Sequence, residues 1–126
     1  GDRVSPDNLQ IGMMASRRLI ERGHRRIAIV NCDPSHLGFA TRTQGFETAA
    51  RDADVFCTTL TDKDGMPIEA DRSTRDSAQF NSLVDQLVSV EGGMPTGLFI
   101  PRDALTICMY RALHPAGARY RDRLLR

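Results

Sequence analysis

The sequence predicts an α/β fold, a parallel β-sheet flanked by helices on both faces. Short continuous apolar runs, Ile27 to Val30, Val55 to Leu60 and Leu98 to Ile100, alternate with longer stretches whose apolar residues recur at helical spacing. The first run is β-branched and unbroken, which marks a strand buried on both faces, as parallel sheets require. Alternation of strands with helices then implies right-handed crossovers between neighbouring parallel strands. With 126 residues, 40% of them hydrophobic and 26% charged, the chain has globular composition and room for one core.

Each element has its own local reason. Pro6-Asp7-Asn8 starts a helix expected over Leu9 to Arg22, with Ile11, Met14, Ala15 and Leu19 as its apolar stripe and Gly23 as its stop. After the strand at Ile27 to Val30, Phe46, Ala49, Ala50 and Ala53 mark a second amphipathic helix, and Val55 to Leu60 a second strand. Thr61 to Arg72, acidic and containing Gly65 and Pro67, reads as the longest loop and as a place for mobility. Phe80, Leu83, Val84, Leu87 and Val88 form the cleanest helical stripe, ended by Gly92-Gly93. Leu98 to Ile100 gives the third strand. Asp103 is placed to cap a fourth helix with the stripe Leu105, Cys108, Met109, Ala112 and Leu113.

Composition excludes several functions. Seventeen basic against sixteen acidic residues leave a net charge of +1, without the basic excess of an autonomous nucleic-acid binder. No apolar run approaches the ~18 residues of a membrane span, and the first ten residues lack a signal-peptide core, so a cytoplasmic chain with no membrane partner is expected. Cys32, Cys57 and Cys108 lie far from any CxxC spacing and read as reduced, mostly buried thiols. His24, His36 and His114 lack metal-ligand spacing, and neither a GxSxG elbow nor a phosphate-cradling glycine motif is present. No metal, no cofactor and no catalytic residue are expected, so the chain does not read as an enzyme. His24 and His114 read as helix-end residues.

In such sheets ligands sit beyond the carboxyl ends of the strands, here the loops Asn31 to Thr41, Thr61 to Thr74 and Pro101 to Ala104. Arg42 follows the first of them. Its planar fork suits a carboxylate or sugar hydroxyls, although a solvated arginine or a partner for Asp33 explains the position equally well. Asp103 is sufficient as a helix cap and could also accept hydrogen bonds from ligand hydroxyls.

Asp7-Asn8, the block Leu19-Ile20-Glu21-Arg22-Gly23-His24-Arg25-Arg26-Ile27-Ala28, Arg42 with Gly45-Phe46, and Pro95-Thr96-Gly97-Leu98-Phe99-Ile100 with Asp103 resemble, in this order, the lactose-repressor/galactose-repressor family of bacterial transcription regulators. The resemblance implies one subdomain, the C-terminal one, of a Rossmann-like periplasmic-binding-protein type I fold. It also implies that the DNA-binding headpiece, hinge and N-terminal subdomain lie outside residues 1–126, which form a fragment touching DNA only through that headpiece. By resemblance Arg42 contacts a small-molecule effector, with His36 and the Arg102-Asp103 pair in the same pocket. Arg102 stands where the family usually carries Asn or a small residue, so an anionic effector joins sugars and nucleobases as a candidate. The family pairs through this subdomain, which implies a homodimer with Ile107 and Tyr110, off the core stripe of the fourth helix, at its seam. A periplasmic sugar-binding protein of the same fold is the alternative, and a small flavodoxin-like enzyme a more distant one.

Overall fold

The computed structural model describes residues 6–69 and 78–102 together with Leu105, Thr106 and Met109. Six elements alternate as expected: α1 (Pro6–Glu21), β1 (Arg26–Val30), α2 (Leu37–Asp52), β2 (Phe56–Leu60), α3 (Ala78–Val88) and β3 (Gly97–Phe99). The strands form one parallel sheet in the order β2-β1-β3, with Ile29 level with Thr59 on one side and Phe99 on the other. Leu105, Thr106 and Met109 are helical, whereas Asp103, Ile107, Cys108, Tyr110 and His114 lie outside the described residues.

The central strand β1 divides two cores by the two-residue period of a strand. Ile27 and Ile29 face α1 and α2 and pack with Phe46, Ala50 and Val55. Ala28 and Val30 face the other way, onto Phe80, Leu83, Val84 and Leu87 of α3, with Leu105 and Met109 in the same cluster. These four of the five β1 residues are at most 1% exposed, which a strand with helices on both faces demands. Phe46 of α2 stacks on Phe99 of β3 at 6.0 Å between ring centres, tying that helix to the sheet beneath.

Helix α1 buries a different face from the one its large apolar residues suggest. Ile11 and Met14 are 40% and 49% exposed, while Gly12 and Ser16 are buried. The cause is the closeness of α2. A Cβ on Gly12 would overlap the Arg42 carbonyl oxygen and lie 2.8 Å from the Phe46 nitrogen, and one on Gly45 would overlap the Leu9 carbonyl. Two glycines thus let the parallel helices touch backbone to backbone.

The turns explain the remaining signals. Gly23, at φ +93°, ends α1 with its amide donating to Ile20 and the His24 amide donating to Leu19, the paired bonds of a left-handed helix stop. His24 then bonds Thr96 Oγ1 at 2.8 Å, so it joins the end of α1 to the start of β3. Arg26 donates to the Gly93 and Glu91 carbonyls at 3.0 and 2.6 Å and lies 4.0 Å from the Phe56 ring centre, clamping the turn before β3. No helix among the described residues is long and apolar enough to cross a membrane.

Candidate functional site

Because the strands are parallel, the segments after β1, β2 and β3 leave the sheet at the same edge. The Asn31 amide donates to the Leu60 carbonyl at 2.9 Å, and the Ile68 amide to the Cys32 carbonyl at 2.7 Å. The N-termini of α1 and α2 lie side by side here too, as Asn8 beside Gly38 shows.

Arg42 is the best-defined polar side chain of this edge. Its Nε and Nη2 donate to Asn8 Oδ1 at 3.2 and 2.7 Å, and Nη1 donates to the Pro101 carbonyl at 3.4 Å. The guanidinium lies 5.5 Å from the centre of the Phe39 ring. It therefore spans α1, α2 and the segment after β3, half-buried. A guanidinium has five N–H donors, so two remain without a partner among the described residues. It does not pair with Asp33, whose carboxylate takes the Ser35 amide and hydroxyl at 3.1 and 2.7 Å. Since α2 starts at Leu37, Arg42 lies in its second turn, where the unfavourable end of the helix dipole has largely faded. Asn8, its main acceptor, carries no motif that would assign it this task, although it belongs to the Asp7-Asn8 pair at the head of the resemblance.

His36 is the N-cap of α2: its Nδ1 accepts the Gly38 amide at 3.1 Å, and its exposed ring lies 5.2 Å from that of Phe39. Accepting at Nδ1 leaves Nε2 to carry the ring proton. Arg102 is exposed, and its carbonyl accepts the Leu105 amide at 3.0 Å to begin the following helical turn. The structure thus brings together Arg42, His36 and the segment ending in Arg102. Asp103, Ile107 and Tyr110 fall outside the described residues.

The loop after β2 is tethered along residues 61–69, contrary to the mobility expected of it. Asp62, 6% exposed, accepts the Asp64 and Met66 amides at 3.0 and 3.1 Å and Gln79 Nε2 at 3.1 Å. These bonds, led by that from Gln79, hold its carboxyl below the ordinary value of 3.8. Gln86 Nε2 donates to the Thr61 carbonyl at 2.8 Å, and Ile68 is fully buried against α3. The Asp-x-Asp-Gly turn at Asp62 was the sequence signal for this anchor.

Neither described cysteine is poised as a nucleophile. Burial pushes the Cys32 thiol up to about 11, against the opposing fields of Arg102 and then Arg42, and burial with the Glu47 carboxylate pushes Cys57 up to about 12. Among the described residues no group of His, Cys, Asp and Glu is placed to hold a metal ion. Two shallow depressions lie away from this edge: one of about 490 Å³ beside Glu47, Arg51, Asp54 and Phe56, and one of about 240 Å³ between α1 and the end of α2. The first opens where β2 begins, at the opposite end of the sheet.

The model of the periplasmic binding protein-like domain matches residues 16–120. The chain is 27% identical over 119 residues to the HTH-type transcriptional repressor PurR of Aliivibrio fischeri strain MJ11, covering 94% of this chain and 33% of that one. It therefore spans about a third of the length of the curated relatives it matches. Among solved structures, a LacI transcriptional regulator from a Rhodococcus species superposes with a TM-score of 0.68 at 22% identity, over 90% of this chain and 38% of that one. A periplasmic binding protein/LacI transcriptional regulator from Alkaliphilus metalliredigens QYMF, complexed with D-xylulofuranose, superposes with 0.65 at 22% identity, over 88% and 38%. At such identities the superpositions speak for the fold, and the family match for descent. The chain belongs to the periplasmic binding protein-like domain family.

Proposed function

We propose that this chain is the C-terminal subdomain of the effector-sensing region of a bacterial DNA-binding regulator, and that it holds one wall of a small-molecule site at the carboxyl edge of its sheet. The observation that carries this is the immobilised Arg42. An arginine fixed on Asn8 and Pro101, with two N–H groups unpartnered among the described residues, is a preorganised acceptor-seeking fork at the place where open α/β sheets take ligands. His36 and Arg102 lie on the same edge, and the resemblance adds Asp103 to the site. Effector binding against a second subdomain would shift the balance between open and closed arrangements, and through a homodimer the spacing of two DNA-binding headpieces. The work is that of a cytoplasmic sensor, with no catalytic step, cofactor or metal.

Calorimetry on the full-length regulator and its Arg42→Ala variant tests the reading. Loss of a charge-assisted hydrogen bond is worth roughly 1.5 to 3 kcal/mol, so effector affinity should fall about ten-fold or more. Unchanged affinity would make Arg42 a purely structural brace between α1 and α2.

A further inference from the structure

Strand β2 is an outer strand of the described sheet, paired on one side with β1. The Phe56 amide donates to the Arg25 carbonyl and the Leu60 carbonyl accepts the Asn31 amide, so Phe56, Thr58 and Leu60 turn their backbone groups toward β1. By the alternation of a strand, Cys57 and Thr59 turn theirs away from it, and Thr61 is next in that series. The run Val55-Phe56-Cys57-Thr58-Thr59-Leu60 carries no charge, proline or glycine and is rich in β-branched and aromatic residues. Such a run at a sheet edge is a template for an identical strand, and neither a lysine nor a proline stands in it to deter one.

Helix α3 supplies what the strand lacks. Gln86 reaches Thr61, its Nε2 donating to the carbonyl at 2.8 Å and its Oε1 accepting the amide at 3.4 Å. One side-chain amide thus meets both groups that a neighbouring strand would take. Its Nε2 also donates to Ser82 Oγ at 3.3 Å, and the buried Leu83 and Leu87 fix the helix that carries it. Before the run, Asp54 turns the chain at φ +57°. Two outward-facing residues, Cys57 and Thr59, lie between that turn and Gln86.

We propose that Gln86 is an autoinhibitory contact: seated on Thr61, it keeps the edge of β2 from pairing with β2 of a second copy. The identical strand is the partner this edge fits, because an uncharged, β-branched run pairs best with itself. Length decides the outcome. With Thr61 open the outward groups extend over residues 57–61, about the length of an ordinary strand, whereas with Thr61 closed they extend only over residues 57–59.

Sedimentation velocity of the full-length regulator over a range of concentrations compares the wild type with Gln86→Ala and with the double variant Gln86→Ala/Thr59→Pro. Proline at 59 removes an N–H that points away from β1, so it blocks edge pairing and spares the ladder. Gln86→Ala should keep a cooperative thermal melt and form assemblies larger than those of the wild type at a concentration about ten-fold lower or more, since two hydrogen bonds no longer compete with the incoming strand. The double variant should return to the wild-type assembly. If Thr59→Pro alone loses the cooperative melt, Cys57→Pro, at the other outward amide, takes its place. Gln86→Ala that matches the wild type at every concentration would overturn the proposal. Association that the proline does not remove would also overturn it, because the contact would then come from unfolding or from another surface.

Discussion

At the scale of single residues, hydrogen bonds made at a distance decide what a side chain does. Arg42 could be placed near a ligand edge from its position after β1, but what holds it there, Asn8, lies 34 residues earlier in the chain. Asp62 is the second such case. Its carboxyl is held below the ordinary value by Gln79 and two backbone amides, so its ionised form stabilises the folded loop. The contribution is complete above the ordinary carboxylate value and is lost as pH falls through the lower folded value. Asp62→Asn sets an NH₂ group against N–H donors. We expect a lower melting temperature at neutral pH and a shallower loss of stability between about pH 5 and about pH 2 than in the wild type. Urea unfolding across that range checks both, and an unaltered acid slope would remove Asp62 from the cause.

At the scale of elements, the contact between α1 and α2 is the most constrained. Replacing a helical glycine by alanine ordinarily gains up to about 1 kcal/mol in propensity. At Gly12 and Gly45 the new methyl would overlap a carbonyl oxygen of the facing helix, where nothing flexible can yield. Overpacking costs of about 1 to 3 kcal/mol or more outweigh the gain, so either alanine should be net destabilising. Gly12→Ala should in addition weaken effector binding, because the atom displaced is the carbonyl oxygen of Arg42. Denaturant midpoints and calorimetry read the two effects, and a stabilised Gly45→Ala would show that the helices can separate at no cost. The same contact explains why α1 was legible as a helix while its buried face was not. Apolar periodicity weighted Ile11 and Met14, whereas close packing selected the small residues Gly12 and Ser16.

For the whole molecule, assembly is the open question that mutation can address. The proposed homodimer seam uses Ile107 and Tyr110, in the stretch that the sequence predicts as the fourth helix. An aspartate at 107 would bury an unpaired charge at a two-fold contact, a change worth about 3 to 5 kcal/mol. Sedimentation of the wild type should show a dimer and Ile107→Asp a monomer. The exposed Ile11 and Met14 on α1 supply the contrasting control: if Ile11→Asp dissociates the dimer and Ile107→Asp does not, the seam runs along α1 instead.

The elements, their order and the parallel sheet were determined by the sequence alone, because strand and helix periods, Gly23 and Gly92-Gly93 are local signals read within a few residues. Strand ends moved by a residue: Val55 and Ile100 fall just outside β2 and β3, and Arg26 and Gly97 just inside β1 and β3. Only the tertiary structure decided which face of α1 is buried, what holds Arg42 and why residues 61–69 are anchored. Each of these depends on how closely two segments distant in the chain approach, and that distance is set by the whole packed core rather than by any stretch of sequence within it.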